Sequence, residues 1–289
     1  MGWKEQVPDW AIRNKYLRRF WQMMRVAQGH KFSRQHTFYD DDIFLVSYPK
    51  SGNTWTRFLV ANLMNPNEDV SFTNIERLVP EIYLNYDARL LGLPRPRVFK
   101  SHDPYDPRYR RAVCIVRDPR DVAVSYFTYA KKIRKLDPDT GFDEYMERFM
   151  VGTIDAFGSW GENVGSWLGA RRNTDGFFVV RYEDLLTDGI TQLVRLASFL
   201  GIEATDELVT RAIEQSSIDR MRSLEKSQQS EWKMTKHSDT SVSFFRSGRS
   251  GGWKEDIPEK WADEIWSAWG DTMEELGYGR ESLGAGEPG

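Results

Sequence analysis

Lysine, serine, glycine, asparagine and threonine follow one another from Lys50 to Thr54, a run suited to holding an anion. Lys50 is a cation, Ser51 and Thr54 carry hydroxyl donors, and Gly52 lets backbone approach a ligand closely. The order differs from the common nucleotide P-loop, whose lysine follows the second glycine of G-x-x-x-x-G-K-[ST]. Here Lys50 precedes the only glycine of the run by two positions. A second grouping is F-K-S-H-D-P, where Lys100 and His102 lie two apart and project to one side of a strand end. Imidazole is the side chain best matched to taking a proton near neutral pH. A third is V-R-D-P-R-D-V-A-V-S-Y, in which Arg117 and Ser125 offer a guanidinium fork and a hydroxyl for a second phosphate. Arg120 and Asp121 in the same run read as a surface ion-pair network. In V-R-Y-E-D-L, Tyr182 presents an aromatic face, while Glu183 and Asp184 read as the acidic first turn of a short helix. Residues 244–254, F-F-R-S-G-R-S-G-G-W-K, combine two arginines with three glycines in a basic loop able to close over an anion.

The first four groupings each follow a strand pattern. Ile43 to Tyr48 is a short apolar run of buried-strand type, and from Asn53 the apolar residues Trp55, Phe58, Leu59 and Leu63 fall at helical spacing. Gly52 or Asn53 is positioned to cap that helix, which turns the positive end of its dipole toward the loop. Further strands are expected at Arg97–Lys100, Arg111–Val116 and Phe177–Arg181. Asp118 as cap and Pro119 in the first turn start a helix through about Lys132. Other helices are expected at Asn74–Leu78, Glu81–Leu91, Phe142–Met150, Phe157–Ala170, Gly189–Leu200, Asp206–Gln215, Ile218–Leu224 and Pro258–Leu276, with Gly201 as a stop signal. Ser227–Gly252 reads as a long mobile segment. Strands alternating with helices predict an α/β fold, a single domain with a central parallel sheet flanked by helices and a P-loop-like loop. The domain spans 40–276, preceded by a helical segment, 1–39, packed on it, and followed by a flexible tail, 277–289. In such sheets ligands bind beyond the strands' carboxyl ends, where the first four of these groupings lie.

Composition narrows the function classes. The chain has 289 residues and a net charge of −3, so the overall field offers no attraction for nucleic acid or an anionic membrane. Cys114 is the single cysteine, which excludes an intramolecular disulfide and a Cys–Cys zinc site. No apolar stretch approaches the roughly 20 residues of a membrane span. Trp10–Ala27 reads as a basic amphipathic helix packed on the domain, without a signal-peptide core. A cytoplasmic protein with a small-molecule substrate is the expectation. An ATP-using kinase and a non-catalytic nucleotide-binding module are the rival classes. Against the kinase stand the loop order and the lack of an apolar strand ending in a clear Mg²⁺-binding aspartate. Against the module stand Lys50, Lys100 and His102.

In their order and content these motifs resemble the cytosolic-type sulfotransferases that use 3′-phosphoadenosine 5′-phosphosulfate (PAPS) and release the 3′,5′-bisphosphate PAP. The resemblance covers roughly Asp40 to Lys254. Y-P-K-S-G-N-T-W is similar to the family's Y-P-K-S-G-T-T-W, with Asn53 in place of a threonine. R-D-P-R-D-V-A-V-S-Y is similar to its 3′-phosphate motif, and R-S-G-R-S-G-G-W-K to its R-K-G-x-x-G-D-W-K. The resemblance implies that Lys50, Ser51, Gly52, Asn53 and Thr54 hold the 5′-phosphosulfate and that Trp55 stacks on adenine. It places Arg117, Ser125, Arg246 and Gly248 at the 3′-phosphate, with Arg249 as a helper, and Tyr182 at the adenine end. His102 falls at the position of the catalytic base and Lys100 at that of a supporting lysine, and no metal is implied. Ser216 and Ile218 match a stretch where the family often has threonine and an adenine-stacking phenylalanine. Ile218 removes that stacking, and Ser247 replaces a usual lysine. The family's short dimer motif is not evident after Lys254, which leaves the oligomeric state open. For the acceptor, a hydroxyl or amine compound, Phe72, Tyr83, Tyr105, Phe127 and Trp160 are candidate pocket residues, with core packing as the alternative for each.

Overall fold

The computed structural model describes residues 36–228, 230–232, 238, 239, 242–245 and 248–281. The expected N-terminal helical segment therefore lies outside the described residues except at its end, where His36 binds the Ile82 carbonyl and the Phe38 ring packs edge-on against Phe44.

Four parallel strands form one sheet: β1 (Ile43–Ser47), β2 (Val98–Ser101), β3 (Arg111–Val116) and β4 (Phe177–Arg181), in the order β2-β1-β3-β4. Val46 of β1 lies opposite Ser101 on one side and Cys114 on the other. Apolar runs suit strands covered on both faces. Alternate residues feed two cores: Phe44, Val46, Ala112, Cys114 and Val116 face one, while Ile43, Leu45, Val113 and Ile115 face the other. The chain leaves β1 toward β2 and later returns to the opposite side with β3. The strand order thus reverses between β1 and β3, and a crevice opens beyond their carboxyl ends.

Helices α1 (Asn53–Met64), α2 (Ile75–Leu78), α3 (Asp87–Leu91), α4 (Pro119–Lys132), α5 (Phe142–Met150) and α6 (Trp160–Arg171) are followed by α7 (Tyr182–Thr187), α8 (Gly189–Leu200), α9 (Asp206–Gln215), α10 (Ile218–Gln228), α11 (Trp253–Asp256) and α12 (Glu259–Glu275). The Asp118 carboxylate accepts from the Arg120 N–H and caps α4, and Gly201 ends α8 in the left-handed region at φ 79°.

Several expectations are corrected. Glu81–Leu91 is not one helix: Ile82–Leu84 is a 3₁₀ turn and Asn85 is extended, its amide spent on the Glu76 carboxylate and the Glu81 carbonyl. Helix α6 starts at Trp160 rather than Phe157, because Ser159 and Glu162 form a capping box. Helix α10 continues to Gln228, beyond Leu224. The described part of 227–252 packs on the domain: Trp232 is buried and stacks on Phe72 at 4.1 Å. The expected fraying from Gly277 does not hold for 277–281. Tyr278 is buried and donates to Glu183, and Arg120 donates to the carbonyls of Gly279 and Arg280.

Candidate functional site

The crevice between β1 and β3 is a cavity of about 220 Å³. Its floor is the loop from Tyr48 to Asn53. Lys50 takes φ 69° and Gly52 φ 96°, which turns the chain sharply before α1. A Cβ on Gly52 would lie 2.5 Å from Cδ2 of Tyr182, so only glycine allows the loop to meet that ring. Gly52 is the N-cap; the Asn53 side chain does not cap α1. Its amide donates instead to the Leu45 carbonyl and to Ser47 Oγ, both at 3.0 Å, tying the loop to the end of β1. The Ser51 hydroxyl is buried and has no partner among the described residues.

The Lys50 ammonium lies 3.8 Å from the centre of the Phe244 ring and 4.4 Å from that of Tyr129. Burial, together with the nearby charges of Arg117 and Lys100, lowers its pKa from 10.5 to about 7. An anion in the cavity would reverse that shift by stabilising the charged form.

Beyond β3, Arg117 stretches across the opening of the crevice. Its guanidinium lies 4.4 Å from the Tyr182 ring centre, and it donates to the Lys50 carbonyl at 3.4 Å and to the Arg249 carbonyl at 2.9 Å. Its Nε is buried without a partner among the described residues. Ser125, two turns into α4, lines the same cavity. Trp55 and Tyr182 meet edge to face at 5.5 Å and line the same cavity. Gly248 lines the cavity at φ 67°, where a Cβ would press on Ile218 at 3.0 Å. Two cationic groups and an aromatic pair lining one cavity fit a nucleoside carrying separated phosphate groups.

Lys100 and His102 reach the cavity from the end of β2. Lys100 is buried and pairs with the buried Glu81 at 2.8 Å, a partner that sequence reasoning missed. His102 Nδ1 lies 2.8 Å from the Ser47 carbonyl. A carbonyl only accepts, so Nδ1 carries the hydrogen and Nε2 keeps its lone pair. Burial and the Lys100 charge push the imidazole down to about 3, so it is neutral at pH 7. Its backbone is held on both sides, by Tyr83 Oη at 2.8 Å and the Asn163 amide at 3.0 Å.

The structure separates other expected residues from the cavity. Ser216 is buried behind it, its carbonyl accepting from the Trp55 indole at 2.8 Å and its hydroxyl from the Asn62 amide. Arg246 and Ser247 lie outside the described residues. Phe72, Tyr105, Phe127 and Trp160 do not line the cavity: each packs among core aromatics, and Trp160 is fully buried. Tyr83 acts from behind, on the His102 backbone. Arg120 is not on a surface network: it is buried, pairs with Asp118 at 2.7 Å and covers the Trp253 ring at 3.9 Å. Asp121 instead accepts the Gly251 and Trp253 N–H groups at 2.7 and 3.0 Å, fastening the chain after Gly248 to α4. Tyr129 was overlooked although it lies one helical turn beyond Ser125 on α4, a spacing that puts both on one face.

The match to the sulfotransferase domain covers residues 40–277. Sulfotransferase 1E1 of Cavia porcellus is 30% identical over 233 residues, 74% of this chain and 77% of that one. The amine sulfotransferase of Oryctolagus cuniculus is 26% identical over 233 residues, 74% of this chain and 75% of that one. Among solved structures, mouse sulfotransferase SULT7A1 complexed with PAP superposes with a TM-score of 0.66 at 25% identity, covering 82% of this chain and 86% of that one. Retinol dehydratase in complex with androsterone and PAP shares the fold, with a TM-score of 0.70 at 21% identity over 83% of this chain and 82% of that one. With the domain match extending from just before β1 to just after α12, the chain belongs to the sulfotransferase domain family.

Proposed function

We propose that the chain transfers the sulfuryl group of PAPS to a hydroxyl or amine of a small acceptor, with His102 as general base. The observation that carries this reading is one cavity with two cationic ends, Lys50 with its loop and Arg117 with Ser125, and a neutral histidine at its side. The residues fit the donor: Lys50 and Arg117 both line the cavity, Arg117 Nε is without a partner among the described residues, and so is the Ser51 hydroxyl in the loop beside Lys50. Lys50, Ser51, Gly52, Asn53 and Thr54 would hold the 5′ end, Arg117, Ser125 and Gly248 the 3′-phosphate, and Trp55, Tyr182 and Ile218 the adenine. Bound there, PAPS supplies an activated sulfuryl group on a phosphate leaving group.

The protein's own contribution is charge and position. Lys50 and the loop N–H groups are placed to neutralise charge that grows on the leaving side. Lys100, kept in place by Glu81, adds a second cation. His102 Nε2 is free to take the acceptor's proton. Preorganised charge and alignment do most of the work in transfers of this kind. An amine acceptor is included because one relative is an amine sulfotransferase. The testing experiment is calorimetry with PAP, ATP, NAD and GTP, followed by radiolabelled PAPS against phenols, alcohols and amines. PAP binding alone among the four, with label transferred to at least one acceptor, is expected. Absence of PAP binding contradicts the reading.

A further inference from the structure

Two helices face the cavity at helical spacing, and each stripe ends in a buried charge. On α4 the stripe runs Ser125, Tyr129, Lys132; on α10 it runs Ile218, Met221, Glu225. The first two residues of each stripe line the cavity. Lys132 and Glu225 lie beyond it, with the Lys132 side chain fully buried and Nζ 3.5 Å from Glu225 Oε1. A buried ion pair is a weak stabiliser, because desolvation offsets its attraction, so its other bonds show its use. Lys132 Nζ donates to the carbonyls of Asp239, at 2.9 Å, and Val242, and the Lys132 carbonyl accepts from the Asp239 N–H at 2.8 Å. Glu225 accepts from the Phe244 N–H at 2.7 Å, from the Phe245 N–H at 3.4 Å and from Ser243 Oγ at 3.1 Å. Both charges therefore hold the same stretch of backbone. That stretch carries Phe244, whose ring meets Tyr129 edge-on at 5.4 Å and lies 3.8 Å from the Lys50 ammonium.

We propose that the Lys132–Glu225 pair is a positioning element of the nucleotide site, setting Phe244 against Lys50 and thereby tuning nucleotide affinity. The pair touches neither nucleotide nor acceptor. The inference rests on the reading of the cavity as a PAP and PAPS site.

The test measures PAP affinity, and kcat and KM for PAPS, in the full chain and in E225Q, K132M, K132R, F244A and F244A/E225Q, with circular dichroism to confirm folding. E225Q and K132M are expected to weaken PAP binding about tenfold or more, since small misplacements of a site group are costly. Their kcat at saturating PAPS should stay close to that of the parent, and K132R should recover most of the lost affinity. If the pair acts through Phe244, adding E225Q to F244A should change affinity by less than about twofold. Unchanged PAP affinity in E225Q, or an equal loss in the presence and absence of the Phe244 ring, overturns the proposal. Should K132M fail to fold, E225Q and the cycle with F244A still decide it. If the parent chain itself does not bind PAP, the reading of the cavity fails, and this inference with it.

Discussion

Binding of PAP should draw a proton onto Lys50. In the free protein burial and the Arg117 and Lys100 charges hold that lysine at about 7. A phosphate in the loop favours the ammonium and moves the pKa back toward its ordinary 10.5. The bound state then holds more protons than the free state, so affinity must fall as pH rises above 7. At pH 8 the free lysine is about 9% protonated and the bound one almost wholly so, which gives an uptake of about 0.9 proton per PAP bound. Between pH 7 and pH 9 full restoration of the pKa weakens binding about 50-fold, or about 2.3 kcal/mol. His102, at about 3, does not titrate in that window, and phosphate monoesters, with a second pKa near ~6, are already dianions at pH 8. Isothermal titration of PAP at pH 8, in two buffers of different ionisation enthalpy, reads the uptake directly. K50M should bring it below about 0.2 proton. An uptake near zero in the parent chain, or one that survives in K50M, refutes the reasoning.

Other consequences follow from the same geometry. H102A should lower turnover about 10²-fold or more while PAP affinity changes little, as steady-state rates and titration will show; an equal loss of PAP affinity would make His102 a binding residue. G52A places a Cβ 2.5 Å from the Tyr182 ring at a φ of 96°, and should cost about 1–3 kcal/mol in urea unfolding and also weaken PAP binding. E81A leaves buried Lys100 without its carboxylate and should destabilise by about 3–5 kcal/mol, whereas E81L with K100M should recover most of that stability without activity. D121A removes the acceptor of the Gly251 and Trp253 N–H groups; a loss of about 1–3 kcal/mol is expected by denaturation, with weaker PAP binding because Arg117 is held through the Arg249 carbonyl in the same stretch.

Local signals carried far in this chain. The apolar runs of β1 and β3, the Asp118 cap and the Gly201 stop were legible because each depends on its immediate neighbours. The two cationic groups of the cavity were legible as well, since Arg117 directly follows β3, Lys50 comes three residues after β1, and the parallel sheet brings strand ends together. Contacts between distant segments were not. Nothing in the local pattern around Glu81 shows that it faces Lys100, because that pairing is set where the turn after α2 lies against β2. The aromatic candidates for the acceptor pocket pack in or against the core rather than along this cavity for a related reason: Trp160 and Phe127 have the composition of a pocket wall, but a core demands the same side chains. Tyr278, near the chain's end, looked free to fray, and only the folded chain shows Glu183 waiting for its hydroxyl.

The most direct measurement is a crystal structure with PAP bound. The 5′-phosphate should lie on the loop from Lys50 to Thr54, the 3′-phosphate against Arg117 and Ser125, and the adenine against Trp55, Tyr182 and Ile218. PAP bound at another place, or with its two phosphates away from these two ends, would contradict the assignment of the cavity.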